Sequence, residues 1–383
     1  MNVRRCLITF SFLFLGICSF AEPTEEHKPR RAFKKTATAA TSPRRKSVYA
    51  PLKRCQAATI FQGVIPEFLF PLPHRNGTAL AYIPETNLIS VVNPYGQMDW
   101  YSLSSGQLEN TYSIGLWVHT DYIHQYEIQK TNENSLTHSF LVQRSDELLI
   151  IQAESDIKGG LTRLSRVNTH NLGKNGNLAI WSMNRKEILR AFPGKLILSD
   201  VSDLSLPWQL NAFVASENPS EAKATLGISL SKNFVASVTP NQNVRVWTRT
   251  APQTEIFDGI VPEAYEVTVS EEGQLYVGLF GGDVLVYDPT TGEELSRLTP
   301  QIQEKTIPKM ILSPDQRRLA VLNGGSTDVY QIASPELAYK LIARYPTDQH
   351  TYLTKFSPMG DTLVSSTPNS KSIAVWQLPP STP

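Results

Sequence analysis

The feature that most constrains this chain is a repeated unit of four short β-type runs separated by tight turns. From Glu266 to Leu298 the runs EVTVS, QLYVGLF, DVLVYDP and ELSRL are divided by EEG, GG and TTG. Runs rich in β-branched and aromatic residues, bounded by Gly, Asp and Thr, are typical of strands joined by hairpin turns. The unit therefore predicts one small four-stranded antiparallel sheet.

The unit recurs along the chain, with further clear copies that begin at Ala79, Ala224, Lys309 and Tyr352. An aromatic residue stands on the expected third strand of each clear unit: Tyr101, Trp247, Tyr287, Tyr330, Trp376. Trp181 in NLAIWSM is expected to mark one further third strand. The intervals from Trp247 to Tyr287, Tyr330 and Trp376 in turn are 40, 43 and 46 residues. This spacing fits seven units best, although six or eight also fit. Between Thr137 and Ser216, runs such as SFLVQ, ELLIIQA, KLILS and AFVAS are visible without a clear grouping.

Four-stranded repeats of this length are typical of β-propeller blades. In pieces such as ILSPDQRRLAVLN, NVRVWT and DVLVYDPTTGEELSRL, the chain resembles the WD40-like and related YVTN-type β-propeller families over about residues 57–378. It departs from true WD40 units because it has no Gly-His pair and no third strand that ends in Trp-Asp. The resemblance implies an all-β fold, a seven-bladed β-propeller, followed by a short tail at 379–383.

A nine-residue motif occurs twice, as IFQGVIPEF at 60–68 and as IFDGIVPEA at 256–264. The second copy contains the expected fourth strand of one unit and the link to the next. The last unit, which ends at SIAVWQLPPSTP, has only three strands of its own. We therefore predict that an N-terminal strand at 57–61 pairs with the last third strand and closes the ring, and that 64–68 lead into the first blade.

The N-terminus predicts export. Arg4 and Arg5 precede an uncharged apolar run from Cys6 to Phe20, and Ser19-Phe20-Ala21 has small residues at the two positions that a signal peptidase reads. This pattern predicts a signal peptide at 1–21, cleaved between Ala21 and Glu22, and a periplasmic or secreted product. The alternative is a lipoprotein signal with Cys18 as the lipidated residue, although Ile17 departs from the small residue expected there.

Residues 22–56 differ in charge from the rest of the chain. From 22 to 54 there are ten Lys or Arg against three acids, and the sequence beyond the two N-terminal segments has 24 basic and 32 acidic residues. The segment has few large apolar residues and is expected to be a flexible basic linker. It acts as a solvated tether or docks on an anionic membrane surface. Nucleic acid is not an expected partner of an exported protein.

No catalytic or cofactor motif is present: GxSxG, GxxxxGK, HExxH and zinc-type cysteine pairs are all absent from the sequence. No cofactor and no metal are therefore predicted. We predict a non-catalytic β-propeller that serves as a protein- or ligand-binding scaffold in the cell envelope, as a monomer. Two alternatives are a propeller enzyme of lactonase or hydrolase type and a lipidated envelope-assembly factor.

Two irregular segments supply the candidate binding residues, because loops on a rigid scaffold commonly carry function. The segment WVHTDYIHQY combines aromatic and polar groups suited to a protein partner: Trp117, His119, Asp121, Tyr122, His124. Residues 155–176 are predicted to form a long cationic loop suited to a small anionic ligand: Lys158, Arg163, Arg166, His170.

Overall fold

The computed structural model describes seventeen segments of the chain, with gaps between them. These are residues 68–71, 79–92, 97–113, 121–144, 147–156, 166–174, 178–182, 187–192, 195–200, 210–214, 225–250, 253–300, 306–324, 326–333, 338–346, 353–366 and 372–380. The described residues contain no helix, and so none that could span a membrane.

The described strands form seven four-stranded antiparallel sheets, so the chain is a seven-bladed β-propeller. Strand β1 (Phe68–Pro71) belongs to blade 7. Blade 1 has β2 (Ala79–Ile83), β3 (Leu88–Val92), β4 (Gln97–Ser102) and β5 (Leu108–Ser113). Blade 2 has β6 (Asp121–Asn132), β7 (Ser135–Arg144), β8 (Glu147–Asp156) and β9 (Arg166–Lys174). Blade 3 has β10 (Leu178–Trp181), β11 (Glu187–Phe192), β12 (Lys195–Asp200) and β13 (Leu210–Val214).

The second half of the chain forms the remaining blades. Blade 4 has β14 (Gly227–Leu230), β15 (Phe234–Val238), β16 (Asn243–Thr248) and β17 (Glu255–Ile260). Blade 5 has β18 (Ala264–Val269), β19 (Leu275–Leu279), β20 (Val284–Asp288) and β21 (Glu293–Leu298). Blade 6 has β22 (Lys309–Leu312), β23 (Arg318–Asn323), β24 (Ser326–Ala333) and β25 (Ala338–Pro346). Blade 7 has β26 (Leu353–Phe356), β27 (Thr362–Ser366), β28 (Ser372–Gln377) and β1.

The first strands of the blades surround the centre of the ring. Each contacts the first strand of the next blade, and the series returns from β26 to β2, so the ring is closed. The hydrophobic core lies between successive blades. Its clusters each draw buried residues from two neighbouring sheets, as Val246 of blade 4 and Val267 of blade 5 illustrate.

The repeat prediction is confirmed for the blade count and the all-β class. The ungrouped zone at 137–216 resolves into most of blade 2 and all of blade 3. One assignment within it was wrong: Trp181 ends β10, the first strand of blade 3, and does not lie on a third strand. The run NLAIW has the alternation of any strand, and its aromatic residue alone could not fix its place in the blade.

Ring closure occurs through a different segment from the one predicted. The outer neighbour of β28 is β1, with Phe68 opposite Val375 and Pro71 opposite Ser372. The predicted closing strand, 57–61, lies outside the described residues, and its predicted place on β28 is filled by β1. The prediction that 64–68 lead into the first blade was wrong for Phe68, which begins β1 of blade 7. Proline lacks an N–H donor, and an outermost strand tolerates it because only one of its edges is paired. The FLFP run is therefore compatible with the closing position.

A bulge recurs on the outer strands opposite the third-strand aromatic residues. In blades 1, 4, 5 and 6 the register shifts by one residue between the aromatic residue and the one before it: Trp100/Tyr101, Val246/Trp247, Val286/Tyr287, Val329/Tyr330. A bulge at a fixed place bends each outer strand in the same way. It also gives the blades a common frame in which equivalent outer-strand residues can be compared.

Candidate functional site

The structure places five of the nine sequence-predicted binding residues on strands and leaves the other four outside the described residues. Asp121, Tyr122 and His124 lie near the start of β6, where Asp121 is opposite Arg144 and a register shift falls at His124. Arg166 and His170 lie on β9, opposite Ala153 and Ile150. Trp117, His119, Lys158 and Arg163 are among the residues that are not described.

The described members of the two predicted groups lie on opposite edges of blade 2. Strands β6 and β9 are the innermost and outermost strands of blade 2, and three strand spacings separate them by about 14 Å. The prediction of a long loop over 155–176 was wrong at both ends: residues 155–156 end β8, and residues 166–174 form the fourth strand of the blade. Binding by either group remains a prediction.

Charged residues on four first strands form a group around the centre of the ring that sequence reasoning did not identify. Lys355 of blade 7 donates from Nζ to Glu127 Oε1 of blade 2 at 2.7 Å and to the Tyr126 carbonyl oxygen at 2.6 Å. This contact crosses from the last blade to the second. It therefore ties together two strands that are 228 residues apart in sequence.

Glu266 and Lys309, on the first strands of blades 5 and 6, interact electrostatically with each other. Burial raises the pKa of Glu266 to about 7, and the Lys309 ammonium partly offsets this shift. The Lys309 side chain keeps contact with water, but the protein around it partly desolvates the ammonium group and lowers its pKa; the Glu266 charge partly offsets this shift and the nearby Lys355 charge adds to it. A carboxyl group with a pKa near neutrality can gain or lose a proton at ordinary pH. Across the described ranges, no group of three or more His, Cys, Asp or Glu side chains is placed to hold a metal ion.

One face of the ring carries exposed apolar side chains. In each blade the turn between the second and third strands emerges at the same end as the linker to the next blade, because successive strands alternate in direction. We call this end the linker face. On it, Ile260 is 73% exposed, Phe280 42% and Ile307 47%.

Backbone hydrogen bonds hold these linker-face segments together. Phe280 N–H donates to the Glu263 carbonyl at 2.7 Å, and Gly281 N–H donates to the Thr306 carbonyl at 3.3 Å. The Phe280 ring also contacts the Tyr265 ring, with centroids 5.5 Å apart. The exposed residues thus belong to one connected surface over blades 4 to 6.

A cleft of about 450 Å³ lies at the outer rim between blades 4 and 5. Its walls are β17 and the turn that follows β20. The Phe257 and Tyr287 rings meet within it, with centroids 5.7 Å apart. The cleft is built from the second copy of the nine-residue motif, whose repetition was visible in sequence although this consequence was not.

Comparisons with known proteins support the fold alone. No protein-family model and no curated protein matches the chain. The crystal structure of Chaetomium thermophilum Raptor is similar, with a TM-score of 0.60 and 11% identity over 84% of this chain and 29% of that one. This chain therefore spans less than a third of the Raptor chain. A chain in the crystal structure of the Mitotic Checkpoint Complex is similar with a TM-score of 0.54 and 13% identity, over 91% of this chain and 98% of that one.

Proposed function

We propose that this β-propeller is a non-catalytic scaffold that binds a protein partner through the linker face of blades 4 to 6. The observation that carries the proposal is the exposure of Ile260, Phe280 and Ile307 on one connected surface. Apolar side chains grouped on a rigid surface are typical of protein interfaces, where association removes them from water. A chain of similar fold occurs in the Mitotic Checkpoint Complex, which is an assembly of several proteins by its name, and this likeness is consistent with a binding role.

The proposal is tested with a Phe280→Ser and Ile307→Ser double variant. Partners are first identified by crosslinking in the native host, and their affinity for the purified chain is then measured. We expect the double variant to bind the partner about tenfold more weakly or worse, because central apolar residues dominate interface energies. The matched control is Leu108→Ser with Met359→Ser, two exposed apolar residues at the other end of the ring. If both double variants bind like the native chain, the partner does not use the linker face.

The cellular location and repeat family are also part of the proposal. The basic start, the apolar run and Ser19-Phe20-Ala21 support export to the periplasm or the medium, as a propeller of the WD40-like or YVTN type. Mass spectrometry of the mature protein decides between the processing routes. A chain that begins at Glu22 supports cleavage after Ala21, an acylated Cys18 identifies a lipidated envelope-assembly factor, and an uncleaved Met1 in the cytosol contradicts export.

A second function, hydrolysis of a lactone or ester, is favoured by one observation. Burial raises the pKa of Glu266 to about 7, and Glu266 interacts electrostatically with Lys309, whose pKa is lowered. Groups tuned in this way are common at catalytic sites. Turnover of a panel of lactones and aryl esters by the purified chain, compared with Glu266→Gln, tests this candidate. Activity that disappears in the variant would replace the scaffold proposal with an enzymatic one.

A further inference from the structure

We infer that the rim cleft between blades 4 and 5 is a second binding site, which takes an extended peptide from a partner protein. A tyrosine or leucine side chain of the peptide enters the cleft beside Gly259, and a neighbouring lysine or arginine faces Asp258. This site shares Ile260 with the linker-face surface, but it does not depend on Phe280 or Ile307.

The cleft lies where the other blades bury a large side chain of their own. In the frame set by the recurrent bulge, Gly259 faces Val244 of the third strand. The equivalent outer-strand residues of blades 1, 5 and 6 are Tyr112, Leu298 and Tyr345. These three side chains are 2%, 3% and 1% exposed. Gly259 leaves this place in blade 4 without a side chain, and the Phe257 ring covers part of the space beside it. The cleft of about 450 Å³ next to that ring has room for a tyrosine or leucine from elsewhere.

Aromatic rings form the wall of this space. A Cβ atom on Gly259 would lie 3.1 Å from the Phe257 ring, so a side chain there would displace it. Phe257 stands where blades 1, 5 and 6 have Asn110, Ser296 and Ala343. The cleft therefore combines a missing side chain with an added aromatic surface, and both changes suit an apolar guest.

The backbone of β17 is arranged to pair with an added strand. Strand β17 is the outermost in its sheet, and Val261 N–H donates to the Gln242 carbonyl at 2.9 Å. Hydrogen bonding alternates along an antiparallel pair, so Gly259 also turns its peptide groups toward β16. The N–H and C=O groups of Asp258 and Ile260 point away from β16, toward the open edge, where an extended peptide can bind them.

The charge of the cleft specifies the peptide further. Asp258 stands where blades 1, 5 and 6 have Thr111, Arg297 and Arg344. In blade 6 this position carries the arginine of an ion pair with Asp328, whereas in blade 4 the pair is reversed and Arg245 lies 3.3 Å from Asp258. Asp288 and the exposed Glu293 flank the turn that forms the far wall. Carboxylates around an apolar cleft favour a peptide with a basic residue beside the inserted side chain.

The test uses an array of synthetic ten-residue peptides and the purified full chain. Each peptide has tyrosine, leucine or alanine at its centre and lysine or glutamate at the two positions directly before and after it, in a serine and valine background, because adjacent residues of a strand point to opposite faces and Asp258 lies on the face opposite Gly259. We expect the tyrosine- and leucine-centred peptides with lysine flanks to bind at least about tenfold more tightly than the alanine-centred or glutamate-flanked ones. Equal binding of tyrosine- and alanine-centred peptides, or no binding by any peptide, would overturn the inference.

Two variants locate the binding. Phe257→Ser with Gly259→Leu gives blade 4 the pair of residues that blade 5 has, and we expect it to lose at least about tenfold in peptide affinity while keeping the native melting profile. Should this variant not fold, Asp258→Arg replaces it, with loss of the preference for lysine over glutamate flanks as the expected result. A folded variant that still binds contradicts the site. The Phe280→Ser and Ile307→Ser variant is expected to bind the peptides normally. Failure of the linker-face proposal can therefore be told apart from failure of the rim-cleft inference.

Discussion

At the residue scale, a buried polar network joins blades 1 and 2. The Tyr126 hydroxyl is 2.9 Å from His138 Nδ1 and 2.8 Å from Ser90 Oγ, and His138 Nε2 is 2.6 Å from Ser155 Oγ. His138 is fully buried, and burial lowers its pKa to about 4. The imidazole therefore stays neutral in the folded protein at pH values where an unfolded chain binds a proton.

This difference predicts a pH-dependent contribution to stability. Below pH 6.5 the unfolded chain protonates His138 and the folded chain does not until about pH 4. The free energy of unfolding should fall across that window by about 3 kcal/mol from this group. Urea unfolding of the native chain and of His138→Gln from pH 7 to pH 4 measures the difference. The advantage of the native chain should shrink as the pH falls, and a constant difference would contradict the prediction.

Glu266 has the opposite dependence. Its pKa is raised from 4.5 to about 7, so the folded chain retains a proton that the unfolded chain releases above pH 4.5. Its contribution to stability is fully present below pH 4.5 and is lost as the pH rises through 7, by about 3 kcal/mol. Relative to the native chain, Glu266→Gln should gain stability between pH 4.5 and pH 8 in the same urea titration. A parallel pair of curves would show that Glu266 is not held in a desolvated position.

At the scale of elements, contacts between the turns of neighbouring blades hold successive sheets in place. Arg318, at the start of β23 in blade 6, is 1% exposed. It donates from Nη1 to the Gly360 carbonyl of blade 7 at 2.5 Å and from Nη2 to the Pro379 carbonyl at 2.6 Å. One side chain thus fixes blade 6 to blade 7 and to the residues that follow the last strand.

Arg318→Met is predicted to lower the free energy of unfolding by about 2–4 kcal/mol, because two carbonyls lose charge-assisted hydrogen bonds in a buried position. Urea or thermal unfolding measures the effect. The matched control is Arg317→Met, since Arg317 is the adjacent residue of the same type and is exposed. The control should change the free energy of unfolding by less than about 0.5 kcal/mol. Similar losses in both variants would show that removal of a positive charge is responsible, and not loss of the Arg318 hydrogen bonds to Gly360 and Pro379.

The blades were predictable from sequence because each repeats a local pattern of alternation and turns. Serines that directly follow first strands show this regularity: Ser270 Oγ accepts from Gln274 N–H, and Ser313 Oγ accepts from Arg318 N–H, both at 2.9 Å. The charged residues at the centre were not predictable. Glu127 and Lys355 meet only because the ring closes, and neither lies in a motif that indicates the other.

At the scale of the whole molecule, closure of the ring was predicted in principle and wrong in its detail. The duplicated motif correctly indicated that the three-stranded last unit needs a partner from the N-terminal part of the chain. It did not indicate register, because IFQGVI and FLFP are both apolar runs that can pair with an edge strand. Likewise, the rim cleft depends on Gly259, and a glycine within a strand pattern does not reveal that other blades bury a side chain there.

The identity of the closing strand predicts how truncated chains behave. A chain that starts at Glu67 keeps β1, whereas one that starts at Leu72 loses it and exposes the outer edge of β28. We expect the first to unfold within about 1 kcal/mol of the full chain and the second to melt several degrees lower and to aggregate, since an open edge strand can pair with other molecules. Thermal melts with light scattering compare the two, and both lack residues 57–61. If the chain that starts at Glu67 is as unstable as the shorter one, residues before 67 complete the ring.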